Sequence, residues 1–242
     1  QDAIAYLQQQ LNRALSGDLM LPVDEFNRVT LWTYDEEQAL VAPTTHDARV
    51  VAVVLATRIS KNLYSLDLSS AQYKRQFLRS ALASSKVLNG ISQPLAGGTL
   101  QLLSQESPAY VLSLLGHCLK EQNYPAAIGA AEVLGAIGSE ALVYSPSGKP
   151  TPLVGLLNHP NRRVRFAVAS AIFKINPQRA FPGCTFLSEA AGHYIKTTGT
   201  RSVLTGDVKP ERSQTWSGLL AQIGFSGDRA KSGRDLVQMA QQ

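Results

Sequence analysis

Histidine and cysteine are the first residues to consider for catalysis or metal binding in this chain. The four histidines are His46, His117, His159 and His193. No two of them share the i, i+3 or i+4 spacing that places metal ligands on one helix face. Cys118 and Cys184 form no CxxC pair. The pattern predicts no metal site and no metal cofactor.

Neighbouring candidates do not combine into a catalytic group either. His117 and Cys118 are adjacent, but consecutive helical residues point about 100° apart, so a Cys–His dyad is not expected. Cys118 lies in an apolar run, which predicts a buried free thiol; a disulfide with Cys184 is the open alternative. His159 precedes Pro160 and is expected to help start a helix.

Motifs for nucleotide binding and hydrolysis are missing from the sequence. It contains no GxSxG, no P-loop and no GxGxxG. The segment AGGT (96–99) follows no clear strand and is interpreted as a turn rather than a phosphate cradle. The pair Glu36–Glu37 lies in a solvated stretch. The sequence therefore predicts a protein that is not an enzyme and holds no cofactor.

Composition describes a folded chain without a membrane span. The 242 residues are 44% hydrophobic and 17% charged, which suits one large or two ordinary domains. The longest apolar run, Val50 to Ala56, is too short to cross a bilayer. The chain begins at Gln1 with no signal-peptide pattern, which suggests a processed or excised chain and leaves the compartment open.

Positive charge is concentrated in one segment. No acidic residue lies between Glu140 and Glu189, although the net charge of the whole chain is only +5. The six cations of that segment are Lys149, Arg162, Arg163, Arg165, Lys174 and Arg179.

The cationic segment has two interpretations. In the simpler one, Arg165 makes an inter-repeat hydrogen bond or ion pair and the other cations are solvated. In the functional one, Arg162, Arg163 and Arg165 contact an acidic partner, either a protein surface or phosphates, and a partner protein with an acidic surface is favoured. Only Phe166 interleaves with them, so stacking on single-stranded nucleic acid is not favoured.

Helical periodicity dominates the first 100 residues. Helices are predicted at 2–16, ending at Gly17, at 45–66 with Thr45 or Asp47 as the cap, and at 69–90 with Ser69 or Ser70 as the cap and Gly90 as the stop. Residues 18–45 are mixed, and 91–99 form a Gly/Pro loop.

An internal repeat follows. AAIGAAEVLGAIG (126–138) and VRFAVASAIFKIN (164–176) start 164 − 126 = 38 residues apart. At this offset Ala131 matches Ala169, Leu134 matches Ile172, and Leu115 matches Leu153. The repeating unit is a helix, a turn and a second helix, whose small residues allow neighbouring helices to approach closely.

These segments resemble the HEAT repeat, in particular the short bacterial HEAT-like repeats also found in phycobilisome lyase families. The resemblance rests on HPNRRVRFAVASAIFKINP (159–177) and NYPAAIGAAEVLGAIG (123–138). The region 46–90 is similar to a junction between tetratricopeptide units through Tyr64, Leu66 and Tyr73, with Leu68 where that family has Pro. Both resemblances imply stacked antiparallel helix pairs.

The last 40 residues change character. RSVLTGD predicts a strand, Pro210 begins a helix with Trp216, Leu219, Leu220 and Ile223 on one face, and FSGDRA predicts a second strand before a helix capped by Ser232. This order resembles the first half of a response-regulator receiver domain. That family has two acids after the first strand; Gly206–Asp207 here retains one.

The sequence thus predicts a mainly α fold, a right-handed α-solenoid of helical hairpins followed by a partial α/β (βαβα) unit. The expected regions are 1–100 (tetratricopeptide-like), 101–179 (HEAT-like), 180–199 (connecting helix) and 200–242 (receiver-like). The expected function is a non-enzymatic scaffold for protein–protein interaction. The alternatives are a signalling protein with a receiver or pseudo-receiver domain and, from the HEAT resemblance, a chromophore lyase. The resemblance favours an exported or periplasmic protein over a cytoplasmic one; the oligomeric state stays open.

Overall fold

The structure is a computed structural model that describes residues 3–35, 39–196, 201–207 and 209–240. It divides into two compact units, 1–190 and 191–242. Each is described by itself below. The described residues form eleven α-helices and two small sheets, so the expectation of a mainly helical fold is confirmed.

The first unit is helical apart from one hairpin. Its helices are α1 (Ala3–Ser16), α2 (Ala48–Leu66), α3 (Ala71–Asn89), α4 (Gly97–Ser104), α5 (Pro108–Lys120), α6 (Tyr124–Ile137), α7 (Pro152–Gly155) and α8 (Arg162–Ile175). Short 3-10 turns cover Glu140–Leu142 and Leu156–Asn158. Helix α9 (Cys184–Lys196) crosses the boundary between the units.

Polar caps fix where these helices begin. The side chains that accept a first-turn N–H are Asp47, Ser70, Ser107, Asn123, Thr151 and Asn161. Each satisfies one of the backbone donors that a helix N-terminus leaves unpaired. Gly90 ends α3 and Gly138 ends α6 with positive φ, as glycine allows. The predicted caps at Asp47 and Ser70 and the stop at Gly90 are confirmed.

A β-hairpin occupies part of the region that the sequence analysis left as mixed. Strand β1 (Arg28–Asp35) pairs antiparallel with β2 (Leu40–Asp47), and Val29 faces His46 in the register. Val29 and Leu31 are buried against Val51 and Val54 of α2. Of the two caps considered for the following helix, Asp47 is the one that the structure uses, because Thr45–Asp47 complete β2 and α2 begins at Ala48.

The repeat predicted from the 38-residue offset has the expected secondary structure. Helices α5 and α6 form one helical pair, and the second consists of α7 with its following 3-10 turn, then α8. The first helix of the second pair is therefore much shorter than α5. The matched residues Leu115 and Leu153 are both fully buried, as are Leu134 and Ile172.

Helix α6 lies at the centre of this stack, in contact with α3, α5 and α8. Where α6 meets α8, a Cβ added to Gly135 would lie 2.8 Å from Ala171 Cα. Where α6 meets α3, a Cβ on Gly129 would lie 3.0 Å from Leu82 Cδ2. The glycines therefore set the close approach of the helix axes, which is the purpose that the sequence analysis assigned to small residues.

A buried ion pair also joins α3 to α6. Lys86 of α3 is fully buried, and its Nζ donates to the Glu132 carboxylate of α6 and to the Gln93 carbonyl. Glu132 Oε2 in turn accepts the Leu95 N–H at 3.1 Å, and Ser85 Oγ accepts the Ala96 N–H at 3.0 Å. The pair thereby fixes the segment 90–96, which connects α3 to α4.

The second unit contains a parallel two-stranded sheet. Strands β3 (Arg201–Gly206) and β4 (Phe225–Ala230) are joined by α10 (Pro210–Gln222), and α11 (Gly233–Ala240) follows. Thr205 Oγ1 lies 3.3 Å from Ser213 Oγ of α10. A Cβ on the next residue, Gly206, would lie 2.4 Å from Leu236 Cδ1 of α11. Since consecutive strand residues point to opposite faces, α10 and α11 cover opposite faces of the sheet.

We expect Gly135→Ala to lower the free energy of unfolding by about 1–3 kcal/mol, because the new methyl group collides with the α8 backbone. The matched control is Gly116→Ala in α5, where an added Cβ meets nothing within 4 Å. That change should raise the free energy of unfolding by up to about 1 kcal/mol through helix propensity. Urea denaturation of both variants measures the difference; equal shifts would contradict the close α6–α8 contact.

Replacing Glu132 should lower the free energy of unfolding more than replacing Lys86, its partner in the buried ion pair. Glu132→Leu leaves the Lys86 charge fully buried and should cost about 3–5 kcal/mol of unfolding free energy. Lys86→Met should cost less, because the Glu132 side chain is 22% exposed and retains the Leu95 N–H. The double variant should lose less unfolding free energy than the sum of the losses in the two single variants. Strictly additive costs in chemical denaturation would show that the two residues act independently.

Candidate protein-interaction surface

Five of the six cations of the acid-free segment lie in α8 or just after it, whereas Lys149 lies in the turn before α7. Arg162 and Arg163 are exposed in the first turn of α8, whereas Lys174 is exposed in its last turn. A helix of 14 residues separates these ends by about 20 Å. Arg179 follows α8, and its guanidinium lies 4.4 Å from the centre of the Tyr144 ring. The segment therefore does not form one compact cationic patch.

Arg165 has a structural role within its own repeat. Its Nη1 donates to the carbonyls of His159 at 2.8 Å and Pro160 at 3.2 Å. These bonds tie the first turn of α8 to the residues before it. The expected inter-repeat bond is not among the bonds of Arg165 described here. Of the three predicted contact residues, Arg162 and Arg163 are exposed and Arg165 is half-buried.

His159 supports the same turn, as the sequence analysis expected. Its Nδ1 accepts the Asn161 N–H at 3.1 Å, and Asn161 then caps α8 by accepting the N–H groups of Arg163 and Val164. The His159 ring also meets the Tyr124 ring edge-on at a centroid distance of 6.2 Å. All these contacts are structural.

The electrostatics of this turn are unusual for a helix start. The positive end of the helix dipole lies at the N-terminus, where acidic side chains are favourable and cations are not. The first turn of α8 contains no acid and carries arginines instead. Each exposed cation at this end costs about 0.3–1 kcal/mol at low salt. The helix dipole therefore opposes the arginines at this position.

Two exposed aromatic side chains lie between the cations. Phe166 is 55% exposed and Phe173 is 58% exposed. At 100° per residue, they and the exposed cations fall within about 120° of the α8 surface. We call this surface the α8 face; it consists of Arg162, Arg163, Phe166, Phe173 and Lys174.

The 38-residue repeat offset shows which residues of α6 correspond to the α8 face. Subtracting the 38-residue offset places Phe166 on Ile128 and Phe173 on Gly135. In α6 these positions are covered: Ile128 is 4% exposed, and Gly135 contacts Ala171 of α8. The α8 face thus occupies the side of the helix on which α6 meets its neighbour. Sequence reasoning missed Phe173, although the same offset could have identified it.

Apart from the α8 face, the first unit has a cleft between its N-terminal helices. It is a cleft of about 180 Å³ bordered by α1, α2, α3 and the start of α6. Small residues such as Ala14, Ser80 and Ala83 form its floor, whereas Leu15 is 48% exposed at its rim. The cleft has room for one apolar side chain of a partner.

Polar contacts join α3 to α5 and to the residues just before and after α5, which are more than 30 positions away in the sequence. Lys74 lies 2.7 Å from Glu106 and 5.3 Å from the centre of the Tyr110 ring, and Arg79 pairs with Glu121. The hydrogen bond that Lys74 donates to the Glu106 carboxylate raises the pKa of Lys74. These pairs hold parts of neighbouring helices together and are not arranged around a reacting group.

The thiol candidates do not form a catalytic pair. Cys118 is a buried free thiol, as expected, and burial raises its pKa to about 11. It is therefore almost fully protonated at neutral pH, when a nucleophile would need the thiolate. The neighbouring His117 ring has Nε2 3.2 Å from Arg75 Nη1.

The remaining chemical candidates are dispersed. His46 lies in β2 opposite Val29. Within the described part of the chain, no group of three or more His, Cys, Asp or Glu residues could hold a metal ion. Glu36–Glu37 and the side chain of His193 lie outside the described residues. AGGT proves to be the start of α4 rather than a turn, since α4 begins at Gly97.

The second unit has a cavity at the carboxyl end of its strands. Its volume is about 740 Å³, and its lining includes Asp207, Ser213, Asp228 and Lys231. Asp207 Oδ1 accepts the Lys209 N–H at 2.9 Å. Gly206 contacts α11, so a side chain at this position would require Leu236 to move.

Comparison with known proteins finds no matching family, no matching curated protein and no matching solved structure. Among the described helices, none combines the length and the apolar character needed to cross a membrane.

Charge reversal at the two ends of α8 should change stability in opposite directions. Arg163→Glu places an acid at the positive end of the dipole and should raise the free energy of unfolding by about 0.5 kcal/mol at low salt. Lys174→Glu, the matched control, should lower it by a similar amount. Both shifts should shrink at high salt, as followed by thermal unfolding. Shifts of the same sign would contradict the dipole explanation.

Proposed function

We propose that this protein is a non-enzymatic helical-repeat scaffold that binds another protein through its first unit. The observation that carries the proposal is the α8 face, where Phe166 and Phe173 are exposed at positions that are covered in α6. Large exposed aromatics rimmed by cations are typical of protein-interaction surfaces.

The repeat organisation supports the same proposal. Helix α3 packs against α6, and α6 packs against α8. Helix α5 also packs against α6. Such stacking is what a right-handed solenoid of HEAT type would require, and we retain that architecture as part of the proposal. Solenoids bind partners on surfaces built from successive repeats and need no enclosed site for this. The scaffold is proposed to act without cofactor or metal.

A specific observation favours a second candidate, a signalling protein with a receiver or pseudo-receiver domain. Helices α10 and α11 cover opposite faces of the sheet. With right-handed crossovers, this places a following parallel strand beside β3 rather than β4, which is the flavodoxin-like order. Trp216 and Leu219 of α10 and Ile223, directly after it, are exposed, as expected if further chain covers them. Phosphate retained from acetyl phosphate by the full-length protein would distinguish a true receiver from the scaffold.

Site-specific photo-crosslinking in the native cells tests the scaffold. A photoreactive amino acid at Ser170 reports on the α8 face, and one at Leu15 reports on the cleft between α1 and α3. We expect a discrete crosslinked protein from Ser170, because this residue lies on α8 between the two phenylalanines. Mass spectrometry then identifies the captured protein.

The control introduces Phe166→Ser and Phe173→Ser into the chain that carries the crosslinker at Ser170. The discrete product should disappear, since the apolar contacts are lost. A crosslinked protein at Leu15 alone would support the scaffold function and identify the cleft, rather than the α8 face, as the binding surface. Absence of a discrete product at both positions would contradict the proposed function.

A further inference from the structure

We infer that the α8 face binds an acidic amphipathic helix of another protein, with two apolar residues of that helix packed on Phe166 and Phe173. The inference rests on the proposed scaffold function and specifies the chemistry of its partner. It follows from the geometry, the charge and the repeat register of α8.

Geometry determines the spacing of the apolar contacts. Phe166 and Phe173 are seven residues apart on one helix, so their attachment points are separated by about 10 Å along the axis. A partner helix lying along α8 presents the same spacing with apolar residues at i and i+7. The exposed phenylalanines are therefore matched by two turns of a second helix.

Charge determines the residues that flank these contacts. Arg162 and Arg163 precede the phenylalanines, and Lys174 follows them. The chain has no acidic residue between Glu140 and Glu189 that could neutralise this face from within the same segment. Acidic residues before and after the apolar pair of the partner would meet these cations. Acids near the start of α8 would also relieve the unfavourable cation–dipole interaction there.

The repeat register excludes a further repeat packed as α8 packs on α6. That contact is close because Gly135 has no side chain where it meets Ala171. Phe173 occupies the equivalent position on α8, and its ring would hold a third helix away from the α8 backbone. The aromatic side chains instead suit a helix that packs at a larger distance, with its own side chains between the two axes.

The test measures binding of two synthetic helical peptides to the intact chain by fluorescence anisotropy. Both peptides have about 18 residues and the same leucine stripe at i, i+3, i+4 and i+7. One has Glu at the flanking positions and the other has Lys. We expect saturable binding of the acidic peptide, weakened by salt, and no binding of the basic peptide.

Variants of the α8 face locate the binding. The double variant Phe166→Ser with Phe173→Ser should lower the affinity for the acidic peptide at least about tenfold, and so should the single variant Arg163→Glu. Arg163→Glu is expected to stabilise the fold, so loss of binding in this variant cannot result from unfolding. The matched control is Phe26→Ser with Lys61→Glu, which alters an exposed phenylalanine and an exposed lysine away from α8 and should leave affinity unchanged.

Three results would overturn the inference: binding of neither peptide, equal binding of the basic peptide, or equal losses in the control variant. Crosslinking at Ser170 can succeed in any of these cases, and the scaffold function then stands with a partner of different chemistry. Conversely, the acidic peptide could bind while neither Ser170 nor Leu15 gives a crosslink. That result would support the proposed chemistry of the α8 face and contradict the scaffold function in cells.

Discussion

The contact between Lys86 and Glu132 connects the N-terminal helices to the repeats. A fully buried ammonium group is costly unless it is paired and hydrogen-bonded, and Lys86 meets both conditions through Glu132 and the Gln93 carbonyl. Because Glu132 also holds the Leu95 N–H, one carboxylate fixes the α3–α6 pairing and the path of the segment between α3 and α4. A hydrophobic pair of the same size would pack α3 on α6 without specifying that path.

Helix α6 uses different chemistry on its two sides because its neighbours differ. Toward α8 it offers Gly135, which permits contact between backbones and leaves the alignment of the helices to shape alone. Toward α3 it combines Gly129 with the charged Glu132, so close packing and a directional contact act together. The N-terminal helices and the second helical pair are thereby held in defined positions on one central helix.

Local signals made much of this fold predictable. Caps at Asp47 and Ser70, the stop at Gly90 and the 38-residue offset all depend on residues close in sequence. The hairpin was missed because β2 ends on the same Asp47 that caps α2, so strand and helix signals overlap. The partner of Lys86 lies 46 residues away, and no periodicity reveals such a pairing. For the candidate site, Arg162, Arg163 and Arg165 stay predictions as contact residues; the bonds that Arg165 donates to the carbonyls before α8 depend on the path of the chain there, which the sequence pattern does not reveal.

The α8 face combines two features that each weaken the isolated chain. Cations at the start of a helix oppose its dipole, and exposed phenylalanines leave apolar area in water. A sequence shaped only by stability would place an acid near Arg163 and a polar residue at Phe173, since Arg163 is exposed and Phe173 is 58% exposed. Local departures from the most stable choice are expected where binding requires them. Because both departures fall on one side of one helix, a single acidic and apolar partner would compensate both at once.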